Sequence, residues 1–150
     1  MREFSLSRFT LAHQNDFETA LREIKSGRKY SHWMWYIFPQ IVGLGYSYTS
    51  QYYAIQSLEE AKAFLADPYL GRNLISICEA LIGLESNDAI EVFGNPDNMK
   101  LQSCMTLFSL ADNGNSVFDK VLEKYFDGQP DHRTLRILGK EATEWMEQIK

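Results

Sequence analysis

Apolar residues recur at intervals of three and four positions along most of the chain, which is the spacing of one face of an α-helix. Each apolar stripe therefore predicts a helix with one buried side. A short apolar turn over 9–12 is predicted to precede the first of these helices. The stripes are Phe17, Ala20, Leu21 and Ile24; Leu58, Ala61 and Leu65; Leu74, Ile77, Cys78 and Leu81; Leu101, Cys104, Met105 and Phe108; Val117, Val121, Leu122 and Tyr125; and Leu135, Leu138, Ala142 and Trp145.

Polar residues that favour helix starts stand directly before several of these stripes. Ser57 and Glu60 match a capping box, in which the serine caps the helix and the glutamate reaches back to it. Asp67-Pro68 and Asn95-Pro96 each pair a capping residue with a proline at the first helical position. Asp131 is the predicted cap of the last helix. Glycines that are placed to end helices are Gly27, Gly83 and Gly128.

Strand signals are scarce. The segments 33–38 and 46–55 have the aromatic and β-branched content of strands, but they are equally compatible with helix or loop. The sequence therefore predicts an all-α fold, a single-domain irregular helical array with an aromatic-rich middle segment. The residues expected in its core are Ile24, Phe38, Leu65, Leu74, Ile77, Leu81, Met105, Phe108, Leu122 and Leu138.

Length, charge and cysteine usage narrow the class of protein. A chain of 150 residues corresponds to one domain, here 1–150, that can bury a core. The net charge of −5 disfavours nucleic-acid binding, which normally needs a basic surface. No apolar run reaches signal-peptide or membrane-span length, so a cytoplasmic protein without a membrane partner is predicted. Cys78 and Cys104 lack metal-ligand spacing and are predicted to be reduced core thiols, and no metal site or cofactor is predicted.

The segment 28–45, RKYSHWMWYIFPQIVGLG, places cations and a histidine beside flat aromatic side chains. Arg28 and Lys29 are of the types that hold phosphate or carboxylate, although cations also suit a solvated loop after a helix end. His32 is the candidate catalytic acid or base, and the competing interpretation is a histidine that stacks in the core. His13 and His132 are interpreted as helix-surface or cap-adjacent residues.

The two tryptophans of this segment allow two interpretations. Trp33 and Trp35 are candidates for stacking on a flat ligand, while core packing is the commoner role of such residues. Gln40 follows a proline where regular structure ends, and it is a candidate ligand-binding residue. The Gly43-Leu44-Gly45 sequence lacks the lysine and spacing of a phosphate loop and is compatible with a turn.

A second polar group lies far away in the sequence. Asp97, Lys100 and Ser103 are three positions apart and follow one edge of the predicted helix after Asn95-Pro96. They are candidate ligand-binding residues, and the alternative is a routine Asp–Lys surface pair. The sequence has no GxSxG nucleophile elbow, no zinc-ligand spacing and no distinct pair of glycosidase carboxylates.

Several long strings of the sequence are distinctive: GRKYSHWMWYIFPQIVGLGYS, YYAIQSLEEAKAFLADPYLGRNL, VFGNPDNMKLQSCMTLF and VFDKVLEKYFDGQPDHRTLRIL. They resemble the DUF1810 family of bacterial proteins over about 9–138. The resemblance implies a mainly helical protein and no particular reaction. Members are sometimes labelled calpastatin, but helix caps and apolar stripes do not fit a disordered protease inhibitor. The family's distinctive polar positions fall on Arg28, Lys29, Ser31, His32, Gln40, Asp97, Lys100, Ser103, Thr106, Asp131 and Thr134.

The chain departs from the pattern of the family at a few positions. Tyr30 stands where another basic residue is common, and Gln102 and Cys104 stand where the family often has arginine and serine. If that arginine and serine help to hold an anion, this chain holds it less well.

Together these observations predict a pocket between 28–45 and 97–106 that binds or processes a small anionic ligand, nucleotide-derived or phosphorylated. Lys29 and Lys100 would hold the charge, Trp33 or Trp35 the flat part, and His32 would be the acid or base of any reaction. The alternative is a non-enzymatic protein-interaction module. Whether the protein is an enzyme, and its oligomeric state, are left open.

Overall fold

The computed structural model describes residues 5–112 and 116–139, and within them the chain is helical, without a strand. The all-α prediction is confirmed. The predicted residues Ala142 and Trp145 lie outside the described residues. The helices are α1 (Ser7–Lys25), α2 (Met34–Ile37), α3 (Tyr48–Tyr52), α4 (Leu58–Ala66), α5 (Leu70–Ile82), α6 (Ala89–Phe93), α7 (Asp97–Ala111), α8 (Val117–Phe126) and α9 (His132–Leu138).

Helix α7 is the central element of the fold. It packs against α4, α6, α8 and α9, and it is buried around its whole circumference from Ser103 to Ala111. The helix therefore buries polar side chains such as Thr106 together with the predicted apolar stripe. Most of the predicted core residues are buried, whereas Leu65 and Leu138 are half-buried at the edge of the core.

Helix α1 is one continuous helix, although the sequence predicted a separate turn before it. The interpretation of His13 as a helix-surface residue is wrong, because its side chain is only 1 % exposed. Its Nε2 lies 2.8 Å from the Tyr36 carbonyl oxygen, and its Nδ1 lies 3.1 Å from the amide nitrogen of Asn73. Both ring nitrogens are thus satisfied inside the protein, which compensates for their burial.

The helix caps follow the sequence prediction in part. Ser57 Oγ accepts a hydrogen bond from Glu60 N at 3.1 Å. Glu60 does not reach back to Ser57, because its Oε1 accepts from Gln56 N at 2.9 Å and from the Arg8 guanidinium at 3.1 Å. Asn95 is not the cap of α7. The peptide bond to Pro96 is cis, and the helix begins one residue later than predicted, at Asp97.

The aromatic middle segment forms short helices and loops rather than strands. Ile41 follows α2, Ile55 follows α3, and these two residues form an isolated parallel bridge. Arg8 of α1 holds the far end of this segment, since its guanidinium donates to the carbonyl oxygens of Tyr52 at 2.9 Å and of Ala54 at 3.0 Å. The end of this segment is therefore tied to α1 through Arg8.

Two further expectations concern the cysteines and the membrane. Cys78 and Cys104 are both free and buried, and burial raises the pKa of each thiol, so they are protonated core residues. None of the helices in the described ranges is long and apolar enough to cross a membrane.

Candidate functional site

Asp97 joins the two polar segments that the sequence singled out. Its Oδ2 lies 2.9 Å from Lys29 Nζ and its Oδ1 lies 3.5 Å from Lys100 Nζ. The structure therefore brings 28–45 and the start of α7 together. The two lysines differ in access, because the side chain of Lys29 is 9 % exposed and that of Lys100 is 26 % exposed.

Lys29 is enclosed by protein on several sides. Its backbone N–H donates to the Val92 carbonyl oxygen at 2.7 Å, and its ammonium lies 5.1 Å from the centre of the Trp33 ring. The Asp97 carboxylate and the Trp33 ring together balance the charge of this nearly buried ammonium. Lys29 therefore positions the loop after α1, and a ligand has little access to its ammonium.

Glu23 of α1 organises the loop that follows this helix, and the sequence analysis missed it. Its carboxylate accepts hydrogen bonds from Tyr30 N at 2.7 Å, from Ser31 N at 2.8 Å and from Trp33 Nε1 at 3.0 Å. The Ser31 hydroxyl also donates to it, at 2.5 Å. Burial raises the pKa of the Glu23 carboxyl, but the hydrogen bonds from Ser31, Tyr30 and Trp33 outweigh burial and bring that pKa from 4.5 to about 2.

The contacts of Glu23 decide what several predicted ligand-binding residues do. The Ser31 hydroxyl is used by Glu23, and Trp33 is only 1 % exposed, so neither offers a free face to a ligand. The side chain of Arg28 is exposed, with its guanidinium 5.6 Å from the centre of the Tyr30 ring. His32 is exposed as well, and its described contact is made by its backbone carbonyl, which accepts from the Tyr36 hydroxyl at 3.3 Å.

A cleft of about 210 Å³ lies beside the N-terminal half of α7. Three of the predicted residues line it: Gln40, Lys100 and Ser103. Arg133 adds a second cation from α9, and its guanidinium donates to the Leu44 carbonyl oxygen at 3.3 Å. The other lining residues are Leu44, Gly45, Ser50, Pro96, Met99 and Asp131.

The loop wall of this cleft is tightly packed. A Cβ atom on Gly45 would lie 2.6 Å from Ser50 Cβ, so only glycine allows this approach of the loop to α3. Behind the wall, Trp35 and Gln40 line a much smaller cavity. The ammonium of the cleft residue Lys100 lies 5.3 Å from the centre of the Trp35 ring. Trp35 therefore supports Lys100 from behind rather than lining the cleft itself.

The α9 side of the cleft is held by a hydrogen-bonded polar group. Asp131 Oδ2 accepts from Thr134 N at 3.0 Å and from the Thr134 hydroxyl at 2.6 Å, and it lies 3.1 Å from Ser103 Oγ. Asp131 N donates to Thr106 Oγ1 at 2.9 Å. Three residues that the family resemblance singled out, Thr106, Asp131 and Thr134, thus fix the start of α9 against α7.

Two positions that depart from the family pattern lie outside the cleft lining. The Gln102 amide donates to the Gln129 carbonyl oxygen at 3.0 Å, and Cys104 is fully buried. Neither residue lines the cleft, so the expectation that they weaken anion binding there has no direct contact to support it.

The family model described as "Protein of unknown function (DUF1810)" matches residues 3–138. The chain belongs to the DUF1810 family. A crystal structure of the conserved hypothetical protein Rv1873 from Mycobacterium tuberculosis is similar to this DUF1810 protein, with 41 % sequence identity and a TM-score of 0.87. The match covers 90 % of this chain and 96 % of Rv1873. Among curated proteins, none matches this sequence.

Within 5–112 and 116–139, no group of three or more histidine, cysteine, aspartate or glutamate side chains is placed to hold a metal ion. The chemical resources of the cleft are therefore two cations, a carboxylate, an amide and hydroxyl groups, next to the apolar side chains of Leu44 and Met99.

Proposed function

We propose that this DUF1810 protein binds a small phosphorylated ligand in the cleft between the Gly45 loop, α7 and α9. The observation that carries the proposal is that Lys100 and Arg133 line the same cleft from different helices. Lysine and arginine are the usual side chains for binding phosphate in proteins. Clefts in which a few such groups converge among apolar side chains are typical ligand sites.

The arrangement around Asp97 leaves positive charge available for a ligand. Lys29 and Lys100 share a single carboxylate, and the closer contact, at 2.9 Å, goes to the less accessible Lys29. Lys100 has the longer contact of 3.5 Å and the more exposed side chain. Its ammonium can therefore pair with a ligand anion while Asp97 stays paired with Lys29. Because the whole chain carries a net charge of −5, nonspecific attraction of anions is weak, and binding would depend on this local site.

The size of the cleft favours a small ligand. Its volume of about 210 Å³ is below the roughly 300–1,000 Å³ of sites that enclose drug-sized molecules. A sugar phosphate, or the ribose-phosphate part of a mononucleotide, is of suitable size. The flat part of a nucleotide would then extend over Leu44 and Met99 at the edge, of which Met99 is 52 % exposed.

The proposal concerns binding and includes no reaction. His32, the predicted acid or base, is exposed and does not line the cleft. A catalytic role for His32 would require a ligand that extends beyond the cleft to the loop after α1. We therefore propose binding by Lys100, Arg133, Gln40 and Ser103, and a catalytic role for His32 stays a separate prediction.

The experiment compares AMP with adenosine, which is the same molecule without the phosphate. We expect AMP to raise the melting temperature of the wild-type protein and adenosine to raise it less, because a ligand that binds only the native state stabilises it. Lys100→Ala and Arg133→Ala should each weaken AMP binding about tenfold or more in calorimetric titration. Lys62→Ala is the matched control, since Lys62 is an exposed lysine on α4 outside the cleft.

Two results would contradict the proposal. One is AMP binding that Lys100→Ala and Arg133→Ala leave unchanged, and the other is the absence of any response to AMP and to smaller phosphate esters. In the second case the non-enzymatic interaction module becomes the better interpretation. One observation favours that alternative: Tyr46, Tyr48 and Tyr52 are exposed on an uncharged segment, and tyrosine is enriched in protein interfaces.

A further inference from the structure

The two carboxylate oxygens of Asp131 have different surroundings. Oδ2 accepts from Thr134 N and the Thr134 hydroxyl and lies 3.1 Å from Ser103 Oγ. Oδ1 accepts no hydrogen bond from any residue that the structure describes. Oδ1 is also not fully buried. Among the residues that the structure describes, Asn98 Oδ1 is the one buried side-chain oxygen that lacks a hydrogen-bond partner. Asp131 is one of the residues that line the cleft.

The structural role of Asp131 needs only one of these oxygens. Capping α9 and holding Ser103 are both achieved by Oδ2, and serine, threonine or asparagine would cap the helix with a single side-chain oxygen. Unlike these neutral caps, a carboxylate also brings a negative charge into a cleft that contains Lys100 and Arg133. A site that only bound phosphate would lose affinity from this charge, because like charges repel.

We propose that Asp131 Oδ1 accepts a hydrogen bond from a hydroxyl group of the ligand, so that the cleft selects hydroxylated phosphate esters such as sugar phosphates. This inference rests on the proposed function and specifies its ligand class. An ionised carboxylate only accepts hydrogen bonds, so the ligand must supply the donor. A hydroxyl group fits better than an ammonium group, because Lys100 and Arg133 repel a positive charge. Gln40 and Ser50 supply further neutral hydrogen-bonding groups in the same cleft.

The test uses ribose 5-phosphate and methyl phosphate, two phosphate monoesters of which only the first carries hydroxyl groups. Calorimetric titration of the wild-type protein should give a dissociation constant for ribose 5-phosphate that is at least tenfold lower than that for methyl phosphate. Asp131→Asn should reduce the ratio of the two dissociation constants about tenfold, because the amide cannot replace a charged acceptor. The same substitution should leave methyl phosphate binding unchanged or tighten it, since a negative charge is removed.

Asparagine caps helices as well as aspartate does, so Asp131→Asn should keep α9 in place. The melting temperature of the variant checks this point. Asp131→Ser is the second variant: it also retains a capping oxygen but has no counterpart of Oδ1, and it should show the same loss of preference.

The possible results separate the inference from the proposed function. If both esters bind and the ratio stays the same in Asp131→Asn and Asp131→Ser, the role of Asp131 is overturned while phosphate binding stands. If the wild-type protein binds the two esters equally, the inference is overturned as well. If neither ester binds, both the inference and the proposed function are overturned. Lys100→Ala should weaken the binding of both esters to a similar degree, in contrast to the selective effect at Asp131.

Discussion

Trp33 Nε1 donates a hydrogen bond of 3.0 Å to Glu23 Oε1, in the buried layer between α1 and α2. The same carboxylate holds the backbone of Tyr30 and Ser31. One side chain of α1 thus fixes the path of the loop that carries Lys29. Lys29 pairs with Asp97, and Asp97 also pairs with the cleft residue Lys100.

Replacing the Glu23 carboxylate should destabilise the fold. Glu23→Gln keeps the size of the side chain but replaces one accepting oxygen with a donating amide, which then faces the donors that it should bind. Because hydrogen bonds to buried charged groups are worth more than neutral ones, we expect a loss of about 2 kcal/mol in the free energy of unfolding. Denaturant unfolding measures this value. Glu18→Gln, on an exposed position of the same helix, is the control and should have little effect.

The buried His13 should make stability depend on pH. Burial, partly offset by the hydrogen bond to the Tyr36 carbonyl, lowers the pKa of His13 from 6.5 to about 4. Below pH 6.5 the unfolded chain binds a proton that the folded protein does not bind. We therefore expect the free energy of unfolding to fall as the pH is lowered from about 6.5 to about 4, by up to about 1.4 kcal/mol per pH unit. Denaturant unfolding at a series of pH values measures this slope.

Substitutions identify the group responsible for this slope. His13→Gln should flatten it, whereas His32→Gln should keep it, because the His32 side chain is exposed. An equal slope in both variants would assign the pH dependence to another group.

Glu23 acts at lower pH: with a pKa of about 2 in place of 4.5, its stabilisation is present above pH 4.5 and is lost as the pH falls from about 4.5 towards 2.

The two lysines that share Asp97 should respond differently to truncation. Lys29→Ala removes the close ion pair and the contact with the Trp33 ring from a nearly buried position, and we expect a loss of about 1 kcal/mol or more. Lys100→Ala removes a more exposed side chain whose contribution to folding is small, so its melting temperature should stay close to that of the wild type. Thermal unfolding of the two variants side by side tests the difference. Similar melting temperatures would show that Lys29 is not a structural cation.

The stability of the core should be sensitive to truncation of Leu81. This residue is fully buried on α5, and its carbonyl oxygen accepts a hydrogen bond from the Tyr125 hydroxyl at 2.6 Å. Leu81→Ala should lower the free energy of unfolding by about 2–5 kcal/mol, because it leaves a cavity that the neighbouring helices fill only in part. Leu11→Ala is the control, since Leu11 is largely exposed on α1. Equal denaturant midpoints for the two variants would contradict this assignment.

The sequence predicted the features that depend on short-range interactions. The caps at Ser57 and Asp131 are confirmed because each side chain bonds to a backbone N–H three residues later. The predicted helix-start residue Asp67 also accepts hydrogen bonds from the backbone of 69 and 70, although α5 begins at Leu70. Helical periodicity likewise predicted that the apolar residues Leu101, Cys104, Met105 and Phe108 of α7 are buried.

The features that the sequence analysis missed depend on long-range contacts. His13 meets Asn73 across 60 positions, so its burial could not be seen in the pattern of α1. Arg133 meets the Leu44 carbonyl across 89 positions and had no local sign of a role in the cleft. Glu23 did have such a sign, because it lies three residues after Ala20 and next to Ile24, on the stripe predicted to be buried. A charged residue on a buried stripe is a reason to look for donors in the loop that follows.

Arg8 does not line the cleft, but it contacts the end of a helix that forms part of the cleft wall. Its guanidinium donates to the carbonyl oxygens of Tyr52 and Ala54 and to the carboxylate of Glu60, and Tyr52 ends α3, the helix that contains the cleft residue Ser50. Under the proposed function, a substitution at Arg8 would therefore also change ligand affinity. In a saturation mutagenesis screen for binding of the proposed ligand, we expect Arg8 to score with the cleft residues, although Arg8 does not line the cleft.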